Sequence, residues 1–176
     1  MIDFSRNHFE LLGVPARFRV DQDAVERAYR ALQAEVHPDR HAGSDDADQR
    51  LALQASARVN EAYRALKSPV LRAQHLLALN GIDAADERDT ALDVEFLERQ
   101  LERREAVADA AAEGAVDALD RMLREVRVEM RTREAELEAL LDIEGAFDDA
   151  RSRVRELKFL AKLAEDIDAA LAEAEG

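Results

Sequence analysis

Apolar positions recur at helical spacing along most of this chain. Ser5 is placed to cap a short helix that carries Phe9, Leu11 and Leu12 and stops at Gly13. Asp21 or Asp23 is placed to cap a second, whose stripe Val25, Tyr29, Leu32, Val36 has the 4-3-4 spacing of one helix face. Pro38 disfavours helical geometry at His37, so this helix ends there. The polar stretch from His37 to Asp46 reads as a loop. A third helix is predicted from about Asp48 to Lys67, with Leu51, Ala55, Val59, Ala62, Tyr63 and Leu66 inward. Ser68-Pro69, a cap followed by proline in the first helical position, starts a fourth helix. It is apolar on most sides, which predicts burial, and it ends at Asn80-Gly81.

Residues 82–92 show no apolar period and read as a connection. Three longer helices follow. Asp93 is placed to cap one carrying Val94, Phe96, Leu97, Leu101 and Val107, which ends before Gly114. The next carries Val116, Leu119, Leu123, Val126, Met130, Leu137 and Leu140, a seam spaced by threes and fours and broken once at Arg133. Gly145 separates it from a last helix with Phe147, Val154, Leu157, Leu160, Leu163, Ile167 and Leu171. Short connections make long amphipathic neighbours antiparallel. The expected fold is all-α: an N-terminal helical hairpin with a connecting helix over 1–80, packed against a C-terminal antiparallel three-helix bundle over 81–176.

Composition supports helix: of 176 residues, 34 are Ala and 22 Leu, with only six Gly and three Pro. Charge separates the halves. Residues 1–69 hold 10 basic and 11 acidic side chains; residues 70–176 hold 15 and 28, so nearly all of the net charge of -14 lies in the second half. So acidic a chain is repelled by phosphate backbones, which argues against nucleic acid and anionic membranes as partners. With no cysteine, disulfides, thiolate metal sites and cysteine nucleophiles are excluded. A cytoplasmic address fits, the first residues lack the pattern of a signal peptide, and no apolar run is long enough to span a membrane.

Candidate chemistry is sparse. There is no glycine-rich phosphate loop, no nucleophile elbow and no His-Glu-x-x-His, so no catalytic residues, cofactor or metal are expected. His37 and His41 are four apart, but Pro38 breaks the helix that would align them as ligands. What remains is His37-Pro38-Asp39 at the tip of the first hairpin. Alone it reads equally as turn chemistry.

Its context is more specific. Phe9-Glu10-Leu11-Leu12-Gly13-Val14, then Ala28-Tyr29-Arg30-Ala31-Leu32, then His37-Pro38-Asp39-Arg40, then Val59-Asn60-Glu61-Ala62-Tyr63-Arg64-Ala65-Leu66 and Ser68-Pro69 follow in the order of the J-domain family, which the chain resembles over about residues 4–77. The remainder narrows the resemblance to the HscB family of J-proteins, which serve iron–sulfur cluster assembly. Pro15-Ala16-Arg17-Phe18, Arg72-Ala73-Gln74-His75-Leu76-Leu77, Phe96-Leu97, Gln100-Leu101-Glu102, Arg104-Glu105 and Leu157-Lys158-Phe159-Leu160 carry it.

The resemblance implies a co-chaperone rather than an enzyme. Its J-domain would bind an HscA/DnaK-class 70-kilodalton chaperone and stimulate ATP hydrolysis through His37, Pro38 and Asp39, flanked by the cations Arg27, Arg30 and Arg40. Its bundle would bind the scaffold protein IscU through Leu97, Leu101, Glu102, Arg104, Glu105 and Phe159. Two departures stand out: Glu26 and Glu35 offset the arginines of the second helix, and Glu98 stands where the family often has an apolar residue. The first favours a dedicated chaperone over a general one. Tyr29, on the Val25-Leu32-Val36 face, reads as packing. By spacing alone Leu97, Leu101 and Phe159 read as bundle core, and by resemblance as an exposed patch. Two other readings stand beside the first: a J-protein for a different client, and a structural oligomer whose Val116–Leu140 seam is exposed between chains.

Overall fold

The structure, a computed structural model, describes residues 3–37, 46–84 and 93–175. Among them are seven α-helices and no strand, and the chain divides into two compact units, Met1–Leu79 and Asn80–Gly176.

In the first unit, α1 (His8–Leu12) is capped by Asn7, not by Ser5. The Asn7 side chain accepts from the Glu10 backbone N–H at 3.0 Å, and the Glu10 carboxylate accepts from the Asn7 N–H at 2.9 Å. Ser5 has no carboxylate three residues on to complete such a reciprocal box, and it bonds Asp3 instead. Gly13, at φ 62°, ends the helix in the left-handed region.

Asp21 caps α2 (Gln22–Val36), accepting from the N–H groups of Asp23 and Ala24. Helix α3 (Asp46–Lys67) begins two residues earlier than the apolar pattern predicts, with Asp46 and Asp48 in its first turn, where carboxylates favour the helix dipole. Cross-helix pairs Gln33–Asn60, Tyr29–Tyr63 and Glu26–Lys67 run in opposite senses along the two helices, so α2 and α3 are antiparallel. Val25, Val59, Ala62 and Leu66 are fully buried, whereas Tyr29, Leu32, Leu51 and Tyr63 are half-buried along the edges of the stripe.

Helix α4 (Pro69–Leu79) follows Ser68 as predicted, but it is not buried all round: Leu71 and Leu79 are exposed, and Arg72, Ala73, Leu76 and Leu77 form its inner face. Arg72 is the unexpected member of that face. Its guanidinium donates to the Leu66 carbonyl at 2.7 Å and lies 4.8 Å from the ring centre of buried Phe18. This ties the segment between α1 and α2 to the α3–α4 corner.

In the second unit, Asp93 caps α5 (Val94–Ala112), accepting from the Phe96 N–H at 3.1 Å. Helix α6 (Val116–Glu138) continues into a π-helical stretch, Ala139–Glu144, which keeps both Leu137 and Leu141 inward. Gly145, at φ 65°, then lets the chain turn into α7 (Phe147–Glu175). Arg127 meets Asp168 and Arg133 meets Glu156, so α6 and α7 are antiparallel. Leu119, Leu123 and Val126 of α6 pack with Val107 and Ala110 of α5 and with Leu160, Leu163 and Ile167 of α7. The seam is thus filled within one chain, and the exposed seam required by a coiled-coil oligomer is absent among the described residues.

Arg133 interrupts the seam for a reason. It is held between Glu129, Glu136 and buried Glu156, and Arg153 takes the other oxygen of Glu156. A charged residue is tolerated there because its partners neutralise it and accept its hydrogen bonds.

Candidate functional site

At the end of the α2–α3 hairpin, His37 is the exposed residue that closes α2. Pro38, Asp39 and Arg40, like His41, lie outside the described residues.

The two candidate cations on α2 are exposed but engaged. Arg27 Nη2 is 3.8 Å from Asp21, and Arg30 places Nε and Nη2 each 2.9 Å from Glu26 Oε1. Glu26 also accepts from the Tyr63 hydroxyl and lies 3.7 Å from Lys67 Nζ. The Tyr63 hydrogen bond, with Arg30 and Lys67 beside it, holds the Glu26 carboxyl below the usual carboxylate range. Tyr29 stacks on Tyr63 with ring centres 4.1 Å apart and donates to Asn60 Oδ1 at 3.0 Å. It is half-buried, so it packs, yet its ring edge belongs to this polar plate across α2 and α3. The role of Glu26 was written in the sequence only as a charge; its partners Tyr63 and Lys67 are some forty residues away and carry no local signal.

A second cluster lies where α1, α3 and α4 meet. The His8 backbone N–H donates to His75 Nε2 at 3.3 Å, and the imidazole centres are 4.2 Å apart. The Phe9 ring lies 5.6 Å from that of His75. Burial pushes His8 down to about 4, with His75 and Arg58 adding to the shift, and burial also lowers His75. Both rings are therefore neutral at pH 7.

The patch named on α5 has two faces to choose between. Phe96, Gln100, Val107 and Ala110 are buried and form its inner face. Leu97 and Leu101 are 39% and 61% exposed, so they are not bundle core. Val94, 68% exposed, continues the same row by the same spacing and was missed in the candidate set. Its signal was the 94-97-101 period itself. Glu102, Arg104 and Glu105 are exposed beside the leucines, as is Glu98. Phe159 of α7 is half-buried, its ring edge-on to buried Phe96 at 6.3 Å. Phe159 thus meets α5 through Phe96, and the exposed leucines with mixed charges around them have the composition of a protein-binding surface.

Among the described residues no group of histidines and carboxylates is arranged to hold a metal, and no helix is long and apolar enough to cross a membrane.

Comparison with known proteins agrees with this division. Residues 7–75 match the DnaJ domain model, and residues 92–168 match the HSCB C-terminal oligomerisation domain. A co-chaperone protein HscB homolog from Burkholderia multivorans is 46% identical over 169 residues, covering 96% of each chain, and one from Burkholderia cenocepacia is 45% identical over the same length. The structure of the chaperone HscB from Vibrio cholerae superposes with a TM-score of 0.83 at 33% identity, covering 96% of this chain and 99% of that one. Human co-chaperone HscB does so at 0.85 and 26%, covering 96% and 83%. The chain therefore belongs to the HscB family of J-domain co-chaperones.

Proposed function

We propose that this protein brings the scaffold protein IscU to an HscA-class 70-kilodalton chaperone and stimulates that chaperone's ATP hydrolysis, in the cytoplasm, during iron–sulfur cluster assembly. It performs no catalysis of its own. Asp39 offers a carboxylate that an arginine of the chaperone can grip with two hydrogen bonds. Pro38 restricts the backbone, so His37 and Asp39 are presented with less ordering cost. Arg27, Arg30 and Arg40 supply the positive field that draws an acidic chaperone surface.

The client half of the reading is supported by one observation above the others: α5 buries one apolar face and leaves a second, Val94-Leu97-Leu101, uncovered. We assign IscU binding to Leu97, Leu101, Glu102, Arg104, Glu105 and Phe159, with Val94 extending the row. The absence of cysteine fits a protein that handles the scaffold and never ligates the cluster.

The test is an ATPase assay of an HscA-class chaperone with and without IscU. The unmutated protein stimulates, and Asp39→Asn does not. Equal stimulation by Asp39→Asn removes the J-domain mechanism. Failure of immobilised IscU to retain the protein favours a different client with the same chaperone.

A further inference from the structure

We propose that Glu26 sets the strength of chaperone docking by withdrawing two cations, Arg30 and Lys67, from the face that α2 and α3 present. This rests on the reading above that α2 docks on the chaperone.

The observation is a single carboxylate with three partners from two helices. One oxygen takes Arg30 at 2.9 Å, within α2 and four residues on. The other takes the Tyr63 hydroxyl and stands 3.7 Å from Lys67 Nζ, both on α3. Tyr63 is itself fixed, stacked on Tyr29 and lying 5.5 Å beneath the Lys67 ammonium. The carboxylate is therefore held in place rather than swinging on its helix. Arg30, Lys67 and Glu26 together carry one net positive charge where the two cations alone would carry two.

Ion pairs this exposed contribute little to folding, because water screens them. They exchange easily for partners on another molecule. Their effect on an approaching acidic surface is larger than their effect on stability, since each cation meets an approaching carboxylate only when its pair with Glu26 opens. Glu26 thus lowers the attraction by occupying Arg30 and Lys67, and it does so equally for every chaperone that docks by charge alone. A chaperone that also fits the hairpin by shape keeps its affinity better than one that does not.

The experiment titrates the full-length protein against the 70-kilodalton chaperone and reads ATPase rate. Glu26→Gln keeps the size and the hydrogen-bond acceptor for Tyr63 but removes the charge. Removing one charge a few ångströms from the contact lowers the half-saturating concentration by about threefold at low salt. The maximal rate is unchanged, and the difference closes near 0.5 M salt, where the screening length falls to within a few ångströms. In a background of Arg30→Gln with Lys67→Gln, where Glu26 has neither cation to hold, the same substitution lowers the half-saturating concentration by about half as much or less. A half-saturating concentration unchanged by Glu26→Gln, or a full effect in the double background, overturns the proposal. No stimulation by the unmutated protein overturns instead the docking reading on which it rests.

Discussion

His8 donates its backbone N–H to the Nε2 of His75, 67 residues further along the chain, and the two rings lie within 4.2 Å of each other. An imidazole that accepts at Nε2 carries its proton on Nδ1 and stays neutral. The contact joins the start of α1 to α4, with Arg58 and Glu61 of α3 alongside. Protonating either ring places a cation beside the other ring and beside Arg58.

Stability therefore falls with acid in a definite window. His8 titrates at about 4 in the folded protein, against about 6.5 in the unfolded chain. Between those values the unfolded state binds more protons, so stability is full above pH 6.5 and is lost as pH falls toward 4. The lowered His75 acts in the same direction. The thermal midpoint drops between pH 7.5 and pH 5, before the carboxylates titrate, and His8→Phe flattens that drop. A midpoint level across the window contradicts this account.

Arg72→Lys destabilises the first unit by about 2 kcal/mol, although the charge is kept. The planar guanidinium serves the Leu66 carbonyl and the Phe18 ring at once, and an ammonium cannot do both. Urea unfolding of the full chain measures it, and a shift below about 0.5 kcal/mol assigns the site to the aliphatic stem.

On α5, neighbouring residues separate folding from binding. Phe96→Ala costs about 3 kcal/mol or more of stability, because its ring is fully buried. Leu97→Ala and Leu101→Ala cost under about 1 kcal/mol each, being exposed. Combining Leu97→Ala with Phe159→Ala weakens IscU at least tenfold by titration calorimetry, as expected for anchors at the centre of an interface. Should Leu97→Ala unfold the protein as readily as Phe96→Ala, the row is packing and the client surface lies elsewhere.

Glu156→Ala leaves Arg133 without its innermost partner and costs about 3 kcal/mol. Because Glu156 is 6% exposed, added salt does not erase the difference, unlike an exposed pair such as Arg124–Asp120. Unfolding of Glu156→Ala and of Asp120→Ala at about 0.1 and 1 M salt distinguishes the cases.

Much of this architecture was legible locally. Asp21 and Asp93 cap their helices, Pro69 starts one and Gly13 ends another, because caps and turns depend on residues within one helical turn. The choice of Asn7 over Ser5 was equally local and turned on Glu10.

The sequence by itself determined the helices, their apolar rows and the His37-Pro38-Asp39 string, since each follows from spacing along one element. Tertiary structure decided which row is covered. Helix α5 has two apolar rows, and periodicity cannot rank them; packing against α6 and α7 buried Phe96 and Val107 and left Val94, Leu97 and Leu101 in water. It also decided what the charges do. Arg133 looked like a flaw in a seam and Glu26 like a counter-charge, until folding brought Glu156, Tyr63 and Lys67 beside them. An electrostatic partner is set by distance in space, and distance in space is what a chain's local pattern does not contain.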